Sequence, residues 1–187
     1  MNHCKSPQIE DAASDALEAI VDSYLRVNVE AESRYLRYYA IQPTLAEAVT
    51  KSAMADLPSG RRFAHQRRIP RSALAEAKEA LLKVDFSAVC SFDELHKLVA
   101  KTIDPIRFIG PLTIYDTALR IGAYLGLHPE FVYLHAGVFD GAKALNLDCK
   151  ADKLPMSALP KAFHRLRPDQ AEDCLCMYKK QLKAASK

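Results

Sequence analysis

The stretch GPLTIYDTALRIGAYLG (110–126) carries one acid, Asp116, inside an otherwise apolar-striped segment. A carboxylate at such a place has two uses. It can complete a surface ion pair with Arg120, four residues on, in the favourable acid-first order, worth roughly 0.3–0.5 kcal/mol when exposed. It can instead face a reacting group, where a fixed negative charge stabilises developing positive charge and orients or deprotonates a water. Thr113, Asp116 and Arg120 share one face at helical spacing, so the ion pair is the plainer reading.

A second concentration of chemistry lies in SGRRFAHQRRIPR (59–71). It sets Arg61, Arg62, Arg67, Arg68 and Arg71 around His65 and Gln66, with no acid between Asp56 and Glu76. The net charge of the chain is only +3, so one loop holds a concentrated positive field. Neutralising phosphates with release of counterions is the commonest use of such a field. Arginine suits it because the planar fork grips phosphate oxygens in pairs or lies flat on a base. The alternatives are ion pairs with acids such as Asp11, Asp15 and Glu18, or an acidic protein or ligand. His65 and Gln66 could hydrogen-bond a base.

Three further groupings are weaker. FVYLHAGVFDGAKAL (131–145) brings Tyr133, His135, Asp140 and two glycines close together. A histidine has the intrinsic pKa for proton transfer and small neighbours leave room for a pocket, although a satisfied core or cap histidine is commoner. RYLRYYAIQ (34–42) interleaves Arg34 and Arg37 with Tyr35, Tyr38 and Tyr39. Such a mixture can stack on bases, but an aromatic core stripe with basic neighbours is the simpler account. Cys149, His164, Cys174 and Cys176 match neither the zinc spacings nor the four-cysteine iron–sulfur loop, so buried thiols are expected, with no metal and no cofactor.

The elements that must position these residues are helical. Residues from about 8 to 40 place Ile9, Ala13, Ala16, Leu17, Ile20, Tyr24 and Val27 at three- and four-residue steps. A helix starts at Pro43-Thr44, where Thr44 and Glu47 have capping-box spacing, and ends near Asp56. Another follows Ser72. Ser91 and Glu94 repeat the capping box before FDELHKLVAKTI, and the next helix takes Gly110 as N-cap with Pro111 at its first position. Short helices are expected around 129–135 and 139–146, then a proline-punctuated connection, then a last helix from Pro168; HPEFVYLHAG could hide a short buried strand, but Pro129 followed by Glu130 favours a helix start. No alternating strand pattern of useful length appears, and the fold class read from the sequence is all-α.

Length and composition agree with a compact multi-helix domain. The 187 residues are 49% hydrophobic and 26% charged, enough for a single helical domain over 1–187 or for two lobes, 1–90 with the arginine loop and 91–187 beyond it. The five cysteines are odd in number, no apolar signal-like run opens the chain, and no apolar run approaches roughly 20 residues. Free thiols, a cytoplasmic location, no membrane and a monomer are the expectations.

Residues 92–126 read as helix, short joint (DPIRFIG) and helix, and this arrangement resembles the helix-hairpin-helix motif of DNA repair proteins. There a Gly-hydrophobic-Gly turn presents backbone N–H groups to one DNA strand; here the turn is Phe108-Ile109-Gly110, with Phe108 in place of the first glycine. TIYDTALRIGAYLGL is also similar to the segment of all-α DNA glycosylases in which an Asp-Thr pair opens an apolar, arginine-containing helix. In that family the acidic segment follows the hairpin by a whole further helix, whereas Asp116 lies six residues beyond Gly110.

The resemblance implies a DNA-binding protein that flips out and excises a damaged or modified base. On this reading Asp116 stabilises the positive charge left on the sugar and activates water, with His135 as a second candidate for proton transfer. The DNA contacts are Arg61, Arg62, His65, Gln66, Arg67, Arg68, Arg71, Arg107, Ile109, Gly110 and Thr113, and Tyr115 and Tyr133 line the pocket. No lysine lies between Lys101 and Lys143, which favours a monofunctional, water-using enzyme over a lyase. Two other readings stay open: a non-catalytic DNA-binding module in which Asp116 is structural, and a helical protein binding a small ligand or partner near Tyr133 and His135.

Overall fold

A computed structural model describes residues 7–185 of the chain, with side chains from residue 14 onward. Ile9, Asp11 and Ala13 therefore lie outside the described side chains, and Cys4 outside the described residues. The described residues form an all-α protein. In chain order the helices are α1 (Pro7–Val27), α2 (Val29–Ala40), α3 (Leu45–Met54), α4 (Arg71–Leu81), α5 (Phe92–Ile103), α6 (Pro111–Leu125), α7 (Ala136–Ala144), α8 (Pro168–Met177) and α9 (Lys179–Ala185). Short 3-10 turns cover Ala64–Arg68, Met156–Ala158 and Lys161–Arg165.

The start signals act as their chemistry requires. The Thr44 side chain accepts from the Glu47 N–H at 3.2 Å and Ser91 accepts from the Glu94 N–H at 3.2 Å, each satisfying a donor that the first helical turn leaves without a partner. Gly110 caps α6, with Pro111 following. Four elements differ from the sequence expectation. The periodic run 8–40 breaks at Asn28 into α1 and α2, and the last helix breaks at Tyr178 into α8 and α9.

The third difference is the region 129–135, which is not helical. Val132 and Tyr133 form β1, pairing antiparallel with Leu154 and Lys153 of β2 (Lys153–Leu154). Both β1 side chains are buried, so a β-branched and an aromatic residue gain more from a short extended pair than from a helix too short to propagate. The helix expected at 139–146 begins earlier, at Ala136.

The described chain forms two compact units, and the boundary at residue 90 expected for two lobes falls inside one of them. Among the described residues, the terminal unit comprises 7–30 with 131–185, and the central unit 31–130. The division follows the packing, since α3, α4, α5 and α6 contact one another while α7 contacts α8 and α9, and α1 contacts α9.

The terminal unit has its own core, including Ile20, Val21, Tyr24, Val132, Val138, Phe163, Leu175 and Leu182. In it α7 and α8 approach closely. A Cβ added to Gly141 would lie 2.2 Å from the Leu175 carbonyl oxygen, and one on Gly137 would lie 2.4 Å from the Cys176 sulfur. In the central unit Leu74, Leu81, Leu95, Val99, Ile103, Ile114 and Ile121 are buried. The Phe92 ring meets Tyr115 edge-on at 6.0 Å, joining α5 to α6.

Candidate functional site

The arginine loop is braced by its own backbone and then tied to α6. Leu57 N–H donates to Arg61 O at 2.8 Å and Phe63 N–H to Ala55 O at 3.1 Å, which turns the chain back on itself before the 3-10 turn Ala64–Arg68. Arg62 is spent inside the loop, donating to Ile69 O at 2.8 Å and Arg67 O at 3.2 Å. Arg61, Arg67, Arg68 and Arg71 are exposed.

The 3-10 turn delivers two side chains to one oxygen. His65 Nε2 lies 2.7 Å from Asp116 Oδ2, and Gln66 Nε2 donates to the same oxygen at 3.1 Å. A third donor comes from the helix itself, Arg120, at 3.4 Å. Asp116 is therefore a junction between α6 and a loop fifty residues away. Its side chain keeps 14% exposure and that of His65 39%, so the pair can be reached from solvent.

Beneath Asp116 lies a fully buried guanidinium. Arg120 donates to the Tyr35 hydroxyl and, at 3.1 Å, to the backbone oxygen of Ser52. Its carbon sits 5.6–5.7 Å from the ring centroids of Tyr35, Tyr39 and Phe63, a cation surrounded by aromatic faces. Burial alone would lower the Arg120 pKa, but the oxygens of Tyr35, the Asp116 carboxylate and Tyr39 outweigh it and hold the group above its ordinary value. Burial raises Tyr35 well above its ordinary range, with Arg120 opposing. Two polar atoms in this cluster, Gln66 Oε1 and Ser52 Oγ, are buried without a hydrogen-bond partner among the described residues.

The corner between α5 and α6 lies at the start of the same helix. Phe108 adopts φ of 75°, the left-handed region, at the position where the helix-hairpin-helix pattern has its first glycine. The residue is 56% exposed, and its ring centre lies 4.7 Å from the Arg107 guanidinium. Gly110 has φ of −124° and open space where a Cβ would stand, so neither geometry nor packing within the chain demands glycine there. Its absent side chain leaves the first turn of α6 uncovered, with no side-chain cap on the free N–H groups.

Other candidates from the sequence are placed differently. Ile109, Thr113 and Tyr115 are buried, and the Ile109 N–H is already donated to Ile106 O at 3.1 Å, so what Thr113 offers a ligand is its backbone and Ile109 has no free N–H to offer. Tyr133 and His135 belong to the terminal unit and are also buried, and His135 Nε2 lies 2.6 Å from Glu172 Oε1. The glycines near them serve the close approach of α7 to α8. Glu18 pairs with Arg165 at 2.8 Å. His164 contacts Leu159 O at 3.0 Å, burial pushes the Cys174 thiol up to about 12, and no group of three metal-ligating side chains comes together among the described residues.

The residues sequence reasoning missed are Ser52, Phe63 and the burial of Arg120. The only local sign of them is the Tyr35–Tyr39 spacing, which puts two rings on one helical face. Comparison of the chain with protein-family models, with curated proteins and with solved structures found no match.

Proposed function

We propose that the central unit binds the phosphate backbone of DNA, using the arginine loop and the corner at Phe108–Gly110, with Asp116 as the clamp that fixes the loop to α6. The observation that carries this is the double contact of His65 and Gln66 with Asp116 Oδ2. It ties four exposed arginines to the same helix whose open N-terminus lies six residues away, about 9 Å along the axis. Exposed guanidiniums and free backbone N–H groups are both phosphate ligands. An exposed phenylalanine held in a left-handed backbone, with Arg107 against it, extends the same surface.

Equilibrium binding of a labelled duplex over a salt series tests this reading. Tight binding at low salt that falls steeply as salt rises supports it, and no binding at low salt overturns it.

A second reading, a monofunctional DNA glycosylase, is favoured by one observation: the His65–Asp116 pair at 2.7 Å remains accessible. A carboxylate and an imidazole in contact can orient a water and take its proton, and the carboxylate can face an oxocarbenium-like sugar. Incubating duplexes that hold damaged or modified bases, then treating them with alkali, separates the two. Strand breaks at the modified base that vanish in Asp116→Asn establish the enzyme, and binding without breaks leaves the binding module.

A further inference from the structure

The terminal unit contains a basic groove unrelated to the arginine loop. It has a volume of about 410 Å³ and is lined by Asp140, Lys143 and Ala144 on α7 and by Lys179, Lys180 and Lys183 on α9. Four lysines and one aspartate thus line it. The aspartate is already engaged, since Lys179 Nζ lies 3.3 Å from Asp140 Oδ2. Lys143 sits 4.4 Å from the centre of the Phe139 ring, and Lys180 and Lys183 have no ion-pair partner among the described residues.

On a helix of seven residues, Lys183 stands three residues from Lys180 and four from Lys179. Such neighbours repel, and a helix that short has little stability of its own. Lysines gathered around one groove repel one another, and an anion with several charges adds an attraction to each of them that outweighs this repulsion. The chain has 23 acids, and among the described residues Asp140 alone lines this groove.

We infer that the groove between α7 and α9 binds a compact polyphosphate, a chain of consecutive phosphate groups carried either as the inorganic ion or on a nucleotide. Its volume lies in the small-molecule range, roughly 300–1,000 Å³. Lysine fits this ligand better than it fits a single phosphate: each ammonium is a compact charge with three donors that can turn to whichever oxygen is near, whereas oriented recognition of one phosphate uses arginine forks. The apolar stems of the lysines and Ala144 form the wall of the groove.

Calorimetric titration of the whole chain with sodium tripolyphosphate at low salt tests the assignment, with ATP and adenosine as parallel arms. The expected result is saturable binding of tripolyphosphate that weakens about tenfold in Lys143→Gln/Lys183→Gln, as two screened charge contacts are lost. It is unchanged in Arg67→Gln/Arg68→Gln. ATP bound as tightly, with adenosine silent, identifies the nucleotide as a source of the phosphates; ATP excluded identifies the inorganic chain. Acylation of lysines in the unaltered protein gives an independent reading, with tripolyphosphate protecting Lys143, Lys180 and Lys183. No binding at low salt overturns the assignment. So does binding that survives the lysine pair and disappears with the arginine pair, or the absence of protection.

Discussion

Arg120 and Asp116, one helical turn apart on α6, form an ion pair in which the guanidinium is 1% exposed and the carboxylate 14%. The distance is long, 3.4 Å, because the same carboxylate oxygen also takes His65 and Gln66. Asp116 therefore does two things: it partly neutralises a buried cation, and it holds down the arginine loop.

Removing the carboxylate exposes the cost of the cation. Asp116→Ala leaves Arg120 with the Tyr35 hydroxyl and the Ser52 carbonyl as its remaining acceptors, and breaking a buried pair from one side costs about 3 kcal/mol. Urea denaturation measures this. Loss of less than about 0.5 kcal/mol, the value of an exposed pair, would show that the carboxylate does not neutralise Arg120.

Phe108 gains little from the core for its left-handed backbone, which costs a non-glycine residue about 1–2 kcal/mol. Phe108→Gly removes that strain while adding freedom to the unfolded chain, so the variant should be as stable as the original or up to about 1 kcal/mol more stable. Phe108→Val, β-branched at a positive φ, should lose stability. Thermal unfolding of both variants checks the pair, and equal losses would contradict the account.

Gly141 is required by packing, since a Cβ there meets backbone rather than a movable side chain. Gly141→Ala should cost about 1–3 kcal/mol, the range of an overpacked core. Gly110→Ala, where the Cβ enters open space, should change stability far less.

The buried tyrosine and thiol set the alkaline limit. Burial raises Tyr35 well above its ordinary value, so the folded chain keeps a proton that the unfolded chain releases above about pH 10. An acid whose folded pKa is the higher loses stability as pH rises through that region. Cys174, pushed up to about 12 by burial, adds the same sign from about pH 8.5. Melting temperature should fall above these values, and Tyr35→Phe should fall less steeply, although its melting temperature at neutral pH is lower for want of the bond to Arg120.

Much of the fold was legible because its signals are local. Thr44, Ser91 and Gly110-Pro111 mark helix starts within three residues of themselves, and the caps form where the chain says they should. The burial of Arg120 was not legible, since its partners Tyr35 and Ser52 are 85 and 68 residues away. An arginine four residues after an aspartate looks like a surface pair from the sequence alone. A short strand within HPEFVYLHAG could be suspected but not preferred over a helix, because two residues per strand carry no period and the partner lies beyond α7. At the site, the loop and the acid were each visible as separate concentrations of charge. That His65 and Gln66 join them is a tertiary fact.

The most direct test of the DNA reading is the salt dependence of duplex binding by the intact chain and by Arg67→Gln/Arg68→Gln. Each of these exposed arginines should neutralise one phosphate, so the double variant should bind more weakly, with the slope of log K against log salt reduced by about 2. An unchanged slope, or no binding by the intact chain at low salt, would contradict the account.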